Sequence, residues 1–108
     1  MNLLGKRLRT LRKSLELSQE SLGVLIGLDE SCSRTRISRY ESGIHEPSFS
    51  TAKLLAHHLQ VPIEYLYCER DLVCELILLT HQITDEEIEL LIEYLKNIIQ
   101  LKINAKTS

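Results

Sequence analysis

Apolar residues recur every three or four positions along much of the chain, which is the spacing of one face of an α-helix. The first such stripe consists of Leu4, Leu8, Leu11 and Leu15. It predicts a helix over about residues 3–15, and Asn2 precedes it as a suitable N-cap. The chain therefore begins with an amphipathic helix.

Four more short helices are predicted, each from a capping or breaking residue followed by an apolar face. The second begins after the N-cap Ser18 and ends at Gly27, the third runs from an N-cap at Ser33 to Gly43, the fourth begins after Ser48, and the fifth begins at Pro62. Their expected inner faces are Leu22, Leu25 and Ile26; Ile37, Tyr40 and Glu41; Phe49, Ala52, Leu55, Ala56 and Leu59; and Ile63, Leu66 and Tyr67. Five short helices with short connections predict a compact all-α globule.

The pattern changes after Glu69. An apolar run over residues 71–80 predicts a sixth helix, and the capping box formed by Thr84 and Glu87 opens a long seventh helix to about residue 102. Either these two helices fold back on the globule or they pair with a second copy, and we favour pairing because so wide an apolar surface usually marks an interface. The residues assigned to dimerisation are Leu76, Leu79, Ile88, Leu91, Ile92, Leu95, Ile98 and Ile99.

Composition narrows the function classes. Residues 1–68 carry nine Lys or Arg against seven Asp or Glu, whereas residues 69–108 carry four against eight. This asymmetry favours a polyanionic partner for the first part only. The three cysteines lack metal-ligand or redox spacing, and no catalytic, zinc, cofactor or small-molecule motif is recognisable. We therefore expect a reduced, cytoplasmic, non-enzymatic protein without metal or membrane partner.

Local positive charge is concentrated in two places. The first helix carries five Lys or Arg and no acid, and the predicted third helix carries Arg34, Arg36 and Arg39 within six positions. Uncompensated bases on helix surfaces favour proximity to phosphate. The second and third helices, joined by a turn, then have the form of a helix-turn-helix, whose second helix enters the DNA major groove.

Residues 4–67 resemble the phage repressor and Cro-like (Xre-type) helix-turn-helix family. The resemblance is carried by LSQESL at residues 17–22, ISRYESG at 37–43 and Pro47-Ser48. It implies a five-helix DNA-binding domain over residues 1–69, followed over 70–108 by a helical segment for dimerisation. It also implies a dimeric, sequence-specific repressor of a palindromic double-stranded DNA operator.

The resemblance further implies the roles of individual residues. Arg34, Thr35 and Arg39 occupy base-reading positions, while Arg36 either reads a base or contacts a phosphate. Contacts with the DNA backbone fall to Ser18, Gln19, Ser21, Ser38 and His45, and Gln19 also braces the first recognition residue. Arg12 and Glu41 match a structural ion pair that ties the first helix to the end of the third.

Two departures from the family pattern bear on the recognition helix. Gly23 stands where the family usually has Ala, which predicts a looser second helix. Nine residues, rather than about five, separate Gly27 from Ile37. The four extra residues around Leu28–Ser31 either lengthen the turn or add a turn to the start of the third helix.

Two other functions compete with a dimeric repressor. An antitoxin or restriction–modification controller would bind DNA but use its C-terminal helices for a protein partner. A helical adaptor that has lost DNA binding belongs to a different class, and the arginines of the third helix argue against it.

Overall fold

The computed structural model describes residues 2–107, and these form seven α-helices without a β-strand. Their bounds are α1 Leu3–Ser14, α2 Gln19–Leu25, α3 Glu30–Ser42, α4 Phe49–His58, α5 Ile63–Tyr67, α6 Asp71–Thr80 and α7 Asp85–Thr107. The prediction of an all-α protein with five short helices and two C-terminal ones is confirmed. Met1 and Ser108, the outer limits of the two predicted domains, lie outside the described residues. No helix among those described is long and apolar enough to cross a membrane.

The chain forms two compact units, of which the first extends to Leu78 and the second begins at Leu79. The first unit contains α1 to α5 and most of α6. Its core is built by five fully buried aliphatic side chains from five different helices, namely Leu8, Leu22, Ile37, Leu55 and Leu66. Burying one such side chain contributes about 1.5–3 kcal/mol, so this cluster holds α1 to α5 in one arrangement.

Side-chain caps fix the starts of three helices as the sequence predicts. The Asn2 carboxamide oxygen accepts from the Gly5 amide at 2.8 Å, and the hydroxyls of Ser18 and Ser48 accept from amides three residues ahead. The predicted inner faces are wrong at their edges, because Leu25, Phe49 and Tyr67 are 46%, 68% and 50% exposed. Pro62 is the N-cap of α5 rather than its first residue.

The start of α3 differs from the prediction. Asp29, not Ser33, is the N-cap, and its carboxylate accepts from the Ser31 amide at 2.9 Å. The extra residues therefore add a turn to α3 instead of lengthening the connection. Ser33 lies inside the helix, fully buried, and donates its hydroxyl to the Glu20 carbonyl oxygen at 2.6 Å.

Gly23 explains why Ser33 can be buried there. A Cβ at position 23 would collide with the Ser33 Oγ and lie 2.8 Å from its Cβ. Gly23 thus allows α2 and α3 to approach each other closely, a role in packing beyond the expected effect of glycine on the helix propensity of α2.

The second unit is dominated by α7. Its first turn has the predicted capping box, in which the Thr84 amide donates to the Glu87 carboxylate at 3.1 Å and the Glu87 amide donates to the Thr84 hydroxyl at 3.2 Å. The helix continues to Thr107, five residues beyond the predicted end, and none of its described residues is buried.

Candidate nucleic-acid interface

A buried ion pair joins α1 to α3. Arg12 Nε donates to one Glu41 carboxylate oxygen at 2.6 Å and its Nη2 donates to the other at 3.1 Å. Arg12 Nη1 donates to the Leu17 carbonyl at 2.9 Å, and the Gln19 amide donates to Glu41 at 3.2 Å. Both charged groups therefore have several partners, and α1, α2 and α3 are fixed relative to one another at this point.

Above this ion pair lies an open groove of about 610 Å³ between the start of α2 and one side of α3. It is lined by Arg9, Arg12, Ser18, Gln19, Glu20, Arg34, Ser38, Glu41 and Ser42. The structure thus brings together four residues assigned to DNA contacts, Ser18, Gln19, Arg34 and Ser38. Gln19, however, hydrogen-bonds to Glu41, so the network braces Gln19 against α3 through the carboxylate.

All four predicted base-reading residues lie on the outer side of α3. Arg34, Thr35, Arg36 and Arg39 are all exposed, while Ser33, Ile37 and Tyr40 on the inner side are buried. The Arg36 guanidinium donates a hydrogen bond to the Tyr40 side-chain oxygen, and this interaction raises the pKa of Arg36. Consecutive residues on a helix differ by about 100°, so Ser31 shares the exposed side with Thr35 and Ser38. Ser31 had no assigned role, because its place depends on the extra turn.

The residues predicted to contact the DNA backbone differ in their surroundings. Ser18 and Ser21 are exposed at the start of α2, where the Ser18 hydroxyl donates to that of Ser21 at 2.8 Å. His45 is also exposed, but its backbone amide donates to the Arg39 carbonyl at 3.3 Å. The His45 backbone amide is therefore already hydrogen-bonded within the protein.

The basic residues of α1 divide between two tasks. Arg7 donates to the Cys68 carbonyl at 2.6 Å and lies 4.8 Å from the centre of the Tyr65 ring. Arg7 and Arg12, two of the five bases of α1, are therefore engaged in contacts within the protein. Lys6, Arg9 and Lys13 are exposed, so the expectation that α1 meets phosphate can rest on these three alone.

Since Asp29 fixes the start of α3, we expect Asp29→Asn to give a pH-dependent change in stability. Hydrogen bonds from the Ser31 amide and hydroxyl lower the pKa of Asp29. A carboxylate with a lowered pKa stabilises the fold above its unfolded pKa of about 3.9 and loses that contribution as pH falls through the folded value. The melting temperatures of wild type and variant should therefore differ at pH 7 and converge as the pH falls below 4. A difference that stays constant over this range would contradict the assignment.

Comparison with known proteins agrees with this geometry. The family described as Helix-turn-helix matches residues 8–66. The crystal structure of the transcriptional regulator BswR is similar to this chain, with 39% identity and a TM-score of 0.72, and the match covers 86% of this chain and 92% of that one. A search among curated proteins gives no match.

The family match covers more than half of the chain, and it includes the buried ion pair, the groove and the exposed side of α3. The relative with the determined structure extends the similarity to most of the remaining residues. The chain therefore belongs to the Xre/Cro-like helix-turn-helix family of DNA-binding transcriptional regulators.

Proposed function

We propose that this regulator is a dimeric repressor that inserts α3 into the major groove of a palindromic operator. The observation that carries this proposal is the division of α3 into two sides. Ser33, Ile37 and Tyr40 are buried against the rest of the unit, while Arg34, Thr35 and Arg39 are exposed. A helix held on one side by packing can present its other side to DNA without a further loss of backbone entropy.

Arginine, threonine and serine suit the proposed base contacts. The guanidinium forks of Arg34 and Arg39 can each donate two hydrogen bonds to guanine O6 and N7, and the Thr35 methyl can contact thymine. Arg36, which interacts with the Tyr40 side chain, is assigned either a base contact or a phosphate contact. Ser31, on the same side as Thr35, would extend the surface that faces the bases.

The residues proposed to contact the DNA backbone lie around the exposed side of α3. Ser18, Gln19 and Ser21 lie at the start of α2, where unpaired helix amides favour a phosphate. Ser38 lines the groove beside Arg34, and the imidazole of His45 is exposed in the following loop. Such contacts fix the register of the protein on DNA without reading the sequence.

Dimerisation would supply the two-fold symmetry that a palindrome requires. Of the residues assigned to it, Leu76, Leu79, Ile92, Leu95 and Ile99 are 41–56% exposed, and Ile88, Leu91 and Ile98 are partly buried. Two copies of α3 would then contact half-sites separated by about one helical turn of DNA, ~10 bp, or a multiple of it. The same exposed helices also fit a second candidate function, an antitoxin or restriction–modification controller, because a different protein could cover them.

Selection of bound sequences from a random DNA pool tests the DNA-binding part of the proposal. We expect a two-fold symmetric sequence whose binding weakens steeply with salt, because binding releases counterions from the phosphates. Affinity that does not change with salt would exclude this mode of binding and favour a protein-interaction adaptor. Co-purification of a tightly bound different protein would instead support the second candidate.

Arg34→Ala should remove discrimination at one base pair of each half-site. A lost bidentate contact with guanine costs about 1–3 kcal/mol, which corresponds to roughly 5- to 150-fold in affinity for each half-site. Affinity for unrelated DNA should fall much less. The matched control is Arg70→Ala, which removes an exposed arginine from the α5–α6 connection. Equal losses for both variants on the selected operator would contradict a base-reading role for Arg34.

A further inference from the structure

Two of the three cysteines lie beside each other where the chain passes from α5 into α6. Cys68 is the C-cap of α5, and Cys74 is the fourth residue of α6. The Cys74 thiol donates to the Cys68 carbonyl oxygen at 3.3 Å, while the Cys68 thiol donates to the Arg70 carbonyl oxygen at 3.6 Å. The spacing of these cysteines in the sequence matches no redox motif, so their proximity becomes visible only in the fold.

Arg7 of α1 contacts both cysteines. Its Nη2 donates to the Cys68 carbonyl oxygen at 2.6 Å and to the Cys74 sulfur at 3.1 Å. A positively charged group beside a sulfur favours the thiolate, which is the reactive form of cysteine. The guanidinium is therefore placed to stabilise negative charge that develops on the Cys74 sulfur.

The two thiols differ in their access to solvent and in their ease of ionisation. Cys68 is partly exposed, whereas Cys74 is buried. Burial raises the pKa of Cys74, and a hydrogen bond with the Cys68 thiol raises it further, although the charge of Arg7 acts in the opposite direction. Cys68 is thus the thiol that a dissolved oxidant reaches first, and Cys74 is a protonated thiol beside it.

Metal binding explains this arrangement less well than oxidation. No group of three or more His, Cys, Asp or Glu side chains that could hold a metal ion occurs among residues 2–107. A cation at the Cys74 sulfur would also be repelled by the Arg7 guanidinium, which lies 3.1 Å from that sulfur. Adjacent thiols, one of them accessible, suit oxidation to a disulfide.

We infer that Cys68 and Cys74 form a reversible disulfide when the protein meets a hydroperoxide. With hydrogen peroxide, the Cys68 sulfur attacks one oxygen and the O–O bond breaks. Cys68 becomes a sulfenic acid, and the other oxygen takes the Cys68 proton and leaves as water. The Cys74 sulfur then attacks the Cys68 sulfur, the S–O bond breaks, and the hydroxyl group leaves with the Cys74 proton as water. Two thiols and one peroxide thus give one disulfide and two waters.

The disulfide would join the end of α5 covalently to α6. It would close the chain between Cys68 and Cys74 into a ring and thereby constrain the connection between the two helices. A dithiol reductant would reopen this ring by thiol–disulfide exchange.

Oxidation of the reduced full chain with hydrogen peroxide, without denaturant, tests the inference. Wild type should lose two of its three thiols, and mass spectrometry of unreduced peptides should find Cys68 linked to Cys74 within one chain. Dithiothreitol should restore both thiols. Cys32→Ser is the matched control, because the Cys32 thiol donates to the Asp29 carbonyl oxygen at the start of α3 and its removal should leave the linkage unchanged.

Two further variants separate the steps. Cys74→Ser should stop the reaction at the Cys68 sulfenic acid, which dimedone would trap, and Cys68→Ser should leave Cys74 reduced. Wild type and Cys32→Ser alone decide whether the linkage forms, so the result does not depend on the folding of these two variants.

Several results would overturn the inference. They are a linkage that involves Cys32, a disulfide between two chains in place of one within a chain, and three thiols that survive peroxide in the folded wild type. A Cys68–Cys74 disulfide that forms only in urea would overturn it too, because the thiols would then not be adjacent in the native protein.

Discussion

Glu41→Ala is expected to unfold the first unit or bring it close to unfolding. The variant leaves the Arg12 guanidinium, in a residue only 8% exposed, with the hydrogen bond to the Leu17 carbonyl but without its carboxylate partner. Removing one partner of a buried ion pair costs about 3–5 kcal/mol, which is a large fraction of the ~5–15 kcal/mol that holds a typical domain together. The variant also removes the acceptor of Gln19, so the brace at the start of α2 is lost.

Urea unfolding followed by circular dichroism would measure this loss. Glu46→Ala is the matched control, because it removes an exposed acid from the loop that follows α3 and should change the free energy of unfolding by less than about 0.5 kcal/mol. The double variant Arg12→Met with Glu41→Leu should recover much of the lost stability, since apolar replacement of a whole buried pair is often neutral. If Glu41→Ala proved as stable as Glu46→Ala, the ion pair would not hold α1 to α3.

The elements that the sequence predicts well are those fixed by local chemistry. Asn2, Ser18 and Ser48 cap their helices through bonds to amides three residues away, and Thr84 pairs with Glu87 over the same distance. Such contacts depend on neighbouring residues alone, so they can be recognised without knowledge of the fold.

The start of α3 could not be predicted in this way because the sequence offers two suitable N-cap residues. Asp29 and Ser33 are both suitable N-caps, and the choice depends on a partner ten residues earlier. Gly23 leaves space for Ser33 against α2, so Ser33 is buried within the helix and Asp29 becomes the cap. The exposed side of α3 consequently includes Ser31, which local patterns assign to a turn.

The roles of the three arginines of α1 also could not be predicted from local sequence. Arg7, Arg9 and Arg12 are alike in the sequence of α1, yet the first contacts Tyr65 and the Cys68 carbonyl, the second is exposed, and the third pairs with Glu41. Their long apolar stems allow either placement. Family resemblance identified the Arg12–Glu41 pair, but composition and periodicity could not separate Arg7 from the bases that face solvent.

Gly23→Ala should destabilise the first unit by about 2 kcal/mol, even though Ala favours an isolated helix by up to ~1 kcal/mol. The added Cβ would lie 2.8 Å from the Ser33 Cβ and 3.0 Å from its Cα. Rotation of the Ser33 side chain cannot relieve a contact with Cα, so α2 and α3 must separate and the hydrogen bond from Ser33 to Glu20 must weaken.

The free energy of unfolding of four proteins would test this close approach. Val24→Ala, at a half-exposed neighbouring position, is the control for a change within α2 and should cost less than about 1 kcal/mol. Ser33→Gly in the Gly23→Ala background should restore part of the stability, because it removes the Cβ and Oγ that the new methyl group meets, at a cost of ~1 kcal/mol for glycine in a helix. Stabilisation by Gly23→Ala alone would mean that helix propensity outweighs contact with Ser33. The burial of Ser33, and with it the extra turn that places Ser31 beside Thr35, would then need another cause.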